Sequence, residues 1–296
     1  MINYNKQLTI VTPTYNRLEK IKSCYESLCN QTNFDFLWFV VDDGSTDDTE
    51  NFICDCIDKN IITIKYLKKE NGGKASALNR ALDQINTKFV TCLDSDDLFF
   101  PSTVDVALAQ LKMIENTNSC CGILSLRVDN KGVVLGKTPI PSDIKFITAS
   151  YLFLKLNLKT ELQCFYKTAD ICKYRFPEYK NEKFVSPAWM QYAITQNQEY
   201  LVVHESMSCC EYCDDGLTKN KRKIIRKNPN GYTCVKFFSF KYSKSLRNII
   251  KNGIMYDYGT LLSKNLYWLV RSPRKIWTLL LFPFALCVLL HRFIRK

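Results

Sequence analysis

Three carboxylates lie within four residues in the middle of the first half of the chain. Asp94, Asp96 and Asp97 follow KFVTCL (88 to 93), an apolar run typical of a buried strand. Asp94 and Asp96 are two residues apart, so both can reach one small volume if the chain turns after the strand. Such oxygen ligands suit Mg²⁺ or Mn²⁺, which commonly keep coordination positions for substrate phosphates. On this motif alone, a metal site and a solvated turn with a capping aspartate both stay open.

Short apolar or β-branched runs precede the polar clusters of the first hundred residues. The runs are LTIVT (8 to 12), FLWFVV (36 to 41), ITIKYL (62 to 67) and KFVTCL (88 to 93). Segments of helical length separate them, namely Leu18 to Cys29, Thr46 to Ile57 and Lys74 to Ile85. This alternation predicts an α/β fold with a Rossmann-like, mostly parallel central sheet flanked by helices on both faces.

Polar clusters follow each of these runs. They are PTYNR (13 to 17), DDGSTDD (42 to 48), KENGGK (69 to 74) and DSDD (94 to 97). Ligands of doubly wound sheets gather at the carboxyl ends of the strands, so we expect the four clusters to meet at one edge.

The chain beyond the acidic cluster is predicted to mix helices and strands. A helix can start at Pro101, because the following apolar positions keep a helical period: Val104, Leu108, Leu111 and Ile114. From about Cys121 to Tyr212 we expect strands near GILSLRV and LVVHE and a helix near Ser186 to Gln196.

Composition excludes a disordered chain and a disulfide framework. The 296 residues are 46% hydrophobic, enough for a large core, and no secretory signal is evident, so the catalytic part is expected in the cytoplasm. The 14 cysteines are then expected to be reduced thiols. One cluster offers a CxxC and an imidazole but lacks a second well-spaced pair, so ordinary packing is favoured over zinc. Its members are His204, Cys209, Cys210 and Cys213.

The net charge of +12 belongs to the C-terminal part. Residues 217–296 contain 18 lysines and arginines and one acid, a net of +17, which leaves −5 for residues 1–216. A basic tail suggests nucleic acid or an anionic membrane as partner. The membrane is favoured and nucleic acid is not, because Ile276 to Leu290 has only Thr278 as a polar residue.

This apolar segment is expected to lie in the membrane interface. As a helix its 15 residues reach about 22 Å, less than the roughly 30 Å of hydrocarbon, and Pro283 is expected to break it midway. A C-terminal helix buried against the domain is the alternative. The flanking cations suit lipid phosphates. They are Arg271, Arg274, Lys275, Arg292, Arg295 and Lys296.

Four motifs together resemble the nucleotide-binding half of the family 2 glycosyltransferases of GT-A fold. They are TPTYNR, VVDDGSTD, NGGKASALN and LDSDD, in that order, over about residues 8 to 100, with a weaker likeness to about Asn220. The resemblance implies an enzyme of the bacterial polysaccharide type. It divides the chain into a GT-A catalytic domain at 1–220, with a nucleotide-binding half at 1–100 and an acceptor half at 101–220, and a basic helical region at 221–296 whose membrane segment is about 273–296.

The resemblance also implies roles for residues that follow the strands. Asp42 would accept from the base, the N3–H of uracil, and Lys74 would meet base or phosphate; for Asp42 a plain turn is the alternative. Asp94 and Ser95 would contact the ribose side, while Asp96, with Asp94, would hold the metal. Asp97 is expected to support or cap the site. The nucleoside pocket would be lined by Thr12, Pro13 and Tyr15, with Arg17 nearby.

The general base implied by the resemblance is an acid at the start of a helix beyond the central strands. Within NEKFVSPAWMQYAI that acid is Glu182, although Lys183 stands where the family often has a second acid. Glu211, Asp214 and Asp215 compete with it, their expected use being to order a loop over the donor, to contact the acceptor or to form a turn. Trp189 is expected in the core rather than on a sugar.

The resemblance implies an inverting transfer of a sugar from a nucleotide-diphosphate sugar to a hydroxyl group. A UDP-sugar with Mn²⁺ or Mg²⁺, a lipid-linked surface glycan as acceptor and a place at the cytoplasmic face of the membrane are expected. The alternatives are a transferase that loads polyprenyl phosphate and a non-catalytic protein that binds nucleotide sugars or membranes. The four residues Asp42, Asp94, Asp96 and Glu182 favour an enzyme, because binding alone needs no base.

Overall fold

An eight-stranded sheet runs through the centre of the protein. The computed structural model describes residues 5–135, 139–158, 162–210 and 221–294. The strands are β1 (Leu8–Thr14), β2 (Phe36–Asp42), β3 (Ile64–Lys68), β4 (Phe89–Cys92), β5 (Asp97–Phe99), β6 (Cys120–Leu126), β7 (Phe146–Ile147), β8 (Leu162–Lys167), β9 (Glu199–Val203) and β10 (Ser208–Cys210). The central sheet has the order β3-β2-β1-β4-β8-β6-β9-β7. The first four strands are mutually parallel, whereas β8 runs antiparallel to β4 and β6, and β7 antiparallel to β9. The predicted mostly parallel α/β sheet is confirmed.

Helices cover both faces of this sheet. They are α1 (Leu18–Cys29), α2 (Thr49–Lys59), α3 (Lys74–Leu82), α4 (Thr103–Ile114), α5 (Thr168–Ile171), α6 (Ala188–Ile194), α7 (Lys221–Lys227), α8 (Pro229–Tyr242), α9 (Leu246–Ser263), α10 (Tyr267–Val270) and α11 (Lys275–Ile294), with a π-helical turn at Tyr151–Lys155. Residues of α1, α2 and α4 pack on one face, and residues of α3, α6, α8 and α9 on the other. Strands buried on both faces read as continuous apolar runs, which is why β1 and β2 could be predicted from the sequence.

The register of the parallel strands brings the polar clusters to one edge. Thr14 at the end of β1 lies opposite Asp42, and Asp42 lies opposite Lys68. Past β4 the chain turns through the acids into β5, which pairs antiparallel with β10 and sets Asp97 opposite Cys210. The expected gathering at the carboxyl ends of the strands is therefore observed.

The C-terminal helices share the core of the sheet. Phe240 of α8 and Tyr256 of α9 are fully buried and belong to the same apolar cluster as Val11 and Phe39. Helix α9 packs between α8 and α11. The domain boundary predicted at residue 220 stays a prediction. Side chains from before and after this boundary pack in one apolar cluster.

Helix α11 is continuous, so the prediction that Pro283 breaks it is wrong. The helix runs over 20 residues, about 30 Å, with Pro283 inside it. Proline removes one hydrogen bond to the carbonyl four residues back. Pro283 and Leu279 both lie on the exposed side, while Leu281 and Ala285 are buried and hold the flanking turns.

Helix α11 buries one face and exposes another. Among the described residues, it is the one helix long and apolar enough to cross a membrane, judged by length and composition alone. Of the 18 residues Lys275–Arg292 that meet this criterion, 17% are buried. Its exposed apolar side chains include Ile276, Leu279, Leu280, Phe284 and Leu290. The helix thus packs on the domain and still presents an apolar face outward, and its placement in a membrane interface stays a prediction.

Candidate active site

Each acid of the DSDD cluster pairs with a cation from a different part of the chain. Lys74 Nζ lies 2.5 Å from Asp94, and Arg17 Nη1 lies 2.6 Å from Asp96 Oδ2. Arg127, at the end of β6, pairs with Asp97. The mutual repulsion of these three neighbouring carboxylates is therefore offset by three positive side chains of the protein itself.

The environments of Asp94 and Asp97 differ. Burial acts to raise the pKa of Asp94, but the charges of Lys74 and Arg127 outweigh it and lower that pKa to about 2. Burial raises the pKa of Asp97 to about 6, with Arg127 opposing and Asp94 adding to the rise. Asp94 therefore stays ionised to a lower pH than Asp97 and suits contact with a cation. Asp97 is a buried residue that supports the site.

The acidic cluster fits a divalent cation. Oxygen atoms of Asp94, Asp96 and Asp97 lie within 4.8 Å of one another, and no other such group of three metal-ligating side chains is found in the described parts of the chain. Carboxylate oxygens are the ligands that Mg²⁺ and Mn²⁺ prefer. Asp94 and Asp96 are partly exposed and can turn toward a ligand, while Asp97 is buried.

Arg127 anchors the cluster to the sheet and was missed from the sequence. Arg127 is 6% exposed, and its guanidinium donates to Asp97 and, at 2.9 Å, to Gln163 Oε1. Gln163 in turn donates to Thr91 Oγ1 and to the Cys92 carbonyl. An arginine in LSLRV gave no signal, because its partners lie 30 and 36 residues away.

Asp42 is fully buried at the end of β2. Its Oδ1 accepts from the Ser45 amide at 2.7 Å, the local bend considered from the sequence, and its Oδ2 accepts from the Tyr66 hydroxyl at 2.7 Å. Contact with a uracil base stays a prediction.

Asp43, which the sequence reasoning passed over, holds the loop from Lys69 to Lys74, called the glycine loop below. Its Oδ1 accepts from Lys69 Nζ at 2.8 Å and from the Gly72 amide at 2.9 Å, and its Oδ2 accepts from the Gly73 amide at 2.6 Å. Successive residues of a strand point to opposite faces of the sheet, so the two adjacent aspartates of DDG are expected to contact different partners. This alternation is the sequence signal that could have identified Asp43.

The TPTYNR segment is partly buried. Thr12 is fully buried and its Oγ1 accepts from Trp38 Nε1 at 2.9 Å, and its place in the lining of a nucleoside pocket stays a prediction. Strand alternation turns that side chain into the core. Pro13 and Ser95 are buried, while Tyr15 is 47% exposed and available to a ligand.

Glu182 does not begin a helix, which corrects the placement that led to its choice as the base. Helix α6 starts six residues later, at Ala188. The carboxylate of Glu182 instead sits at the N-terminus of α8, where Oε1 accepts from the Asn230 amide and side chain and Oε2 accepts from the Gly231 amide at 2.8 Å. A carboxylate satisfies the free N–H groups of a helix start, which explains the position. Its role as base stays a prediction.

The remaining sequence candidates are Trp189, the acids of EYCDDGLTKN and the possible zinc ligands. Trp189 packs against Phe176 and Phe238, as expected of a core residue. Glu211, Cys213, Asp214 and Asp215 lie outside the described residues. The described members of the possible zinc cluster have other contacts: His204 with the Ile144 carbonyl, Cys209 opposite Leu98, and Cys210 with Arg127.

A parallel α/β sheet with acids and cations at its carboxyl edge is the arrangement of a nucleotide-binding domain. The model of glycosyl transferase family 2 matches residues 9–175, more than half of the chain. The chain belongs to this family.

Several curated relatives match part of this chain and are much longer than it. An uncharacterized glycosyltransferase of Rickettsia bellii is 36% identical over 130 residues, 44% of this chain and 18% of that protein. Teichoic acid poly(glycerol phosphate) polymerase of Staphylococcus epidermidis is 40% identical over 94 residues, 31% of this chain and 13% of that protein. Hyaluronan synthase of Pasteurella multocida is 31% identical over 134 residues, 45% of this chain and 14% of that protein. The chain thus spans less than a fifth of each of these three.

Solved structures show the same GT-A fold. S. aureus TarS 1-349 in complex with UDP has a TM-score of 0.55 at 17% identity, covering 94% of this chain and 90% of that one. The mannosyltransferase PcManGT from Pyrobaculum calidifontis in complex with GDP-Man and Mn²⁺ has a TM-score of 0.53 at 16% identity, covering 99% and 88%.

Proposed function

We propose that this chain is an inverting glycosyltransferase that moves a sugar from a UDP-sugar to a hydroxyl of a lipid-linked surface glycan, at the cytoplasmic face of the membrane. The observation that carries the proposal is the convergence of Asp94 and Asp96 with Lys74 and Arg17 at the carboxyl edge of the sheet. The family membership and the nucleotide complexes of the similar structures support it.

The donor is proposed to bind along that edge. Tyr15 is exposed beside the sheet and offers a ring to the nucleoside, and Asp42 offers the acceptor for the uracil N3–H. Ser95 and Asp94 face the ribose side. Asp96 and Asp94 would hold Mn²⁺ or Mg²⁺, which when bound supplies positive charge opposite the leaving diphosphate.

Arg17 and Lys74 have a second use once the donor is present. Both now neutralise carboxylates, and both carry positive charge where the diphosphate is proposed to lie. A cation that exchanges a carboxylate for a phosphate keeps its charge paired, so binding of the diphosphate does not leave it desolvated and alone.

The transfer forms a bond from the acceptor oxygen to the anomeric carbon and breaks the bond from that carbon to the phosphate oxygen. The electron pair leaves with UDP, and the hydroxyl proton passes to a carboxylate. Two predictions for that base follow from the sequence, Glu182 and the acids of EYCDDGLTKN. The glycan and lipid parts of the proposal rest on the names of the relatives and on the apolar face of α11.

Release of UDP from a panel of nucleotide sugars, with and without Mn²⁺, tests the proposal. We expect turnover with one UDP-sugar that chelator removes and that added Mn²⁺ restores. Arg80→Ala, at the far end of α3, is a control for charge removal away from the site. Tight nucleotide binding with no turnover of any donor would indicate the non-catalytic alternative, and turnover that chelator leaves intact would contradict the metal assignment.

A further inference from the structure

The glycine loop is packed against a segment that lies more than a hundred residues later. Gly73 has φ +89°, and a Cβ there would lie 1.9 Å from the Lys183 carbonyl oxygen, so only glycine permits this approach. Lys183 Nζ also donates to Asn71 Oδ1 at 2.6 Å. The position of the glycine loop, and with it Lys74, therefore depends on where residue 183 is held.

Residue 183 is held by the N-terminus of α8. Asn228 Oδ1 accepts from the amides of Lys183 and Phe184 at 2.8 and 3.0 Å. The preceding Glu182 binds the Asn230 and Gly231 amides through both carboxylate oxygens. Gly231 is needed here, because a Cβ would lie 2.2 Å from the Phe184 carbonyl oxygen. Glycines therefore allow close approach on both sides of this segment, Gly73 at Lys183 and Gly231 at Phe184.

Asn230 continues the contact into the surface that carries the exposed apolar side chains. Its Nδ2 donates to Glu182 at 2.8 Å, while its Oδ1 accepts from Trp268 Nε1 at 2.9 Å and from Asn265 Nδ2 at 3.1 Å. Trp268 belongs to α10, whose neighbours Leu266 and Val270 are each 72% exposed. One asparagine therefore joins Glu182 to the apolar surface of α10 and α11.

We propose that Glu182 and Asn230 form a positioning junction through which membrane binding by the α10 and α11 surface orders the glycine loop and raises nucleotide affinity. The inference rests on the proposed donor and membrane functions. When membrane binding orders the surface, less free energy is needed to order the glycine loop on nucleotide binding. Such couplings are typically about 5- to 150-fold in affinity.

Calorimetric titration of the full chain with UDP and Mn²⁺, without and with vesicles of phosphatidylglycerol and phosphatidylcholine, tests the junction. We expect vesicles to raise the UDP affinity of the wild type by about fivefold or more. Asn230→Ala should lose this gain while still sedimenting with vesicles. Trp268→Phe keeps an aromatic side chain, removes the Nε1 hydrogen bond and should also lose the gain, so the test still works if Asn230→Ala does not fold. The matched control is Asn248→Ala, an asparagine of α9 that bonds to the Leu154 carbonyl.

The outcomes separate the inference from the functions beneath it. Wild type that sediments but shows no vesicle gain, or an Asn230→Ala chain that keeps the gain, overturns the junction and leaves the donor and membrane proposals standing. Wild type that does not sediment overturns the membrane proposal and the junction together, while UDP binding still supports the donor site. Failure of UDP to bind at all contradicts the donor proposal itself.

Kinetics of Glu182→Gln distinguish a positioning residue from the base. Glutamine keeps an oxygen for Asn230 but turns its amide toward the Gly231 N–H. As a positioning residue, Glu182→Gln should raise the KM for donor, leave the pH profile of kcat in place and be partly rescued by vesicles. A fall in kcat of about 10²- to 10⁴-fold at unchanged UDP affinity would instead show a general base and overturn the positioning role.

Discussion

Asp257 offers the sharpest prediction about stability, because it is a buried acid with no counter-charge in the described part of the chain. It lies in α9 between α8 and α11, is fully buried, and neither carboxylate oxygen has a hydrogen-bond partner among the residues that the structure describes. Burial raises its pKa from 3.8 to about 7. We expect Asp257→Asn, which cannot ionise, to stabilise the protein at alkaline pH.

The sign and size of the effect follow from the two pKa values. An acid whose pKa is raised by folding contributes most to stability below about pH 3.8, where both states are protonated, and that contribution is lost as pH rises to about 7. The total is about 4 kcal/mol, of which about 3 kcal/mol is lost between pH 5 and pH 8. The free energy of unfolding of Asp257→Asn relative to wild type should therefore increase by about 3 kcal/mol over that interval.

Urea unfolding of both proteins at pH 5 and pH 8, followed by circular dichroism, measures this difference. Asp58→Asn, an exposed position near the end of α2, is the control for an amide substitution and should show no such change. A difference between wild type and Asp257→Asn that is the same at the two pH values would refute the reasoning, since it would mean that Asp257 is paired or hydrated in the folded protein.

Four further substitutions test other parts of the molecule. Asp96→Ala should abolish Mn²⁺-dependent turnover and leave the melting temperature within a few degrees, whereas retained turnover would exclude it as a ligand. Asp42→Asn should weaken UDP binding about tenfold or more, measured by calorimetry, because a charged acceptor is lost. Unchanged affinity would mean that Asp42 serves only the local turn. Arg127→Met should destabilise by about 3 to 5 kcal/mol in urea unfolding, because Asp97 loses its buried partner. Leu279→Glu should release the protein from anionic vesicles, with Met113→Glu on α4 as the exposed apolar control; equal sedimentation would contradict docking through α11.

The first four strands could be predicted from the sequence because their signals are local, whereas β8, which lies between β4 and β6, was not predicted. Helix α1 was expected over Leu18 to Cys29 and has those bounds, and the first four strands lie where the apolar runs are. The acids after β4 could also be located, since they interrupt an apolar run. Both features depend only on residues that are adjacent in the sequence.

What could not be predicted depends on partners far apart in the chain. The pairing of Arg127 with Asp97, the hold of Asp43 on the glycine loop and the placement of Glu182 on α8 join segments about 30 to 50 residues apart. The sequence predicted a break in α11 because proline is unfavourable inside a helix. The packing of Leu281 and Ala285 against the neighbouring helix is a tertiary effect that the local sequence does not show. Resemblance of motifs supplied roles but not these contacts.

The three ion pairs of the acidic cluster bear on how the protein would behave in a cell short of metal. Asp94, Asp96 and Asp97 already have Lys74, Arg17 and Arg127 as partners, so the newly made chain can fold without drawing on the metal supply. An ion arriving alone would have to displace cations that then lack a partner, whereas a diphosphate brings replacement charge for both Arg17 and Lys74. On the proposed function, metal should therefore bind together with the nucleotide and leave with it, and the protein should stay folded when metal is scarce.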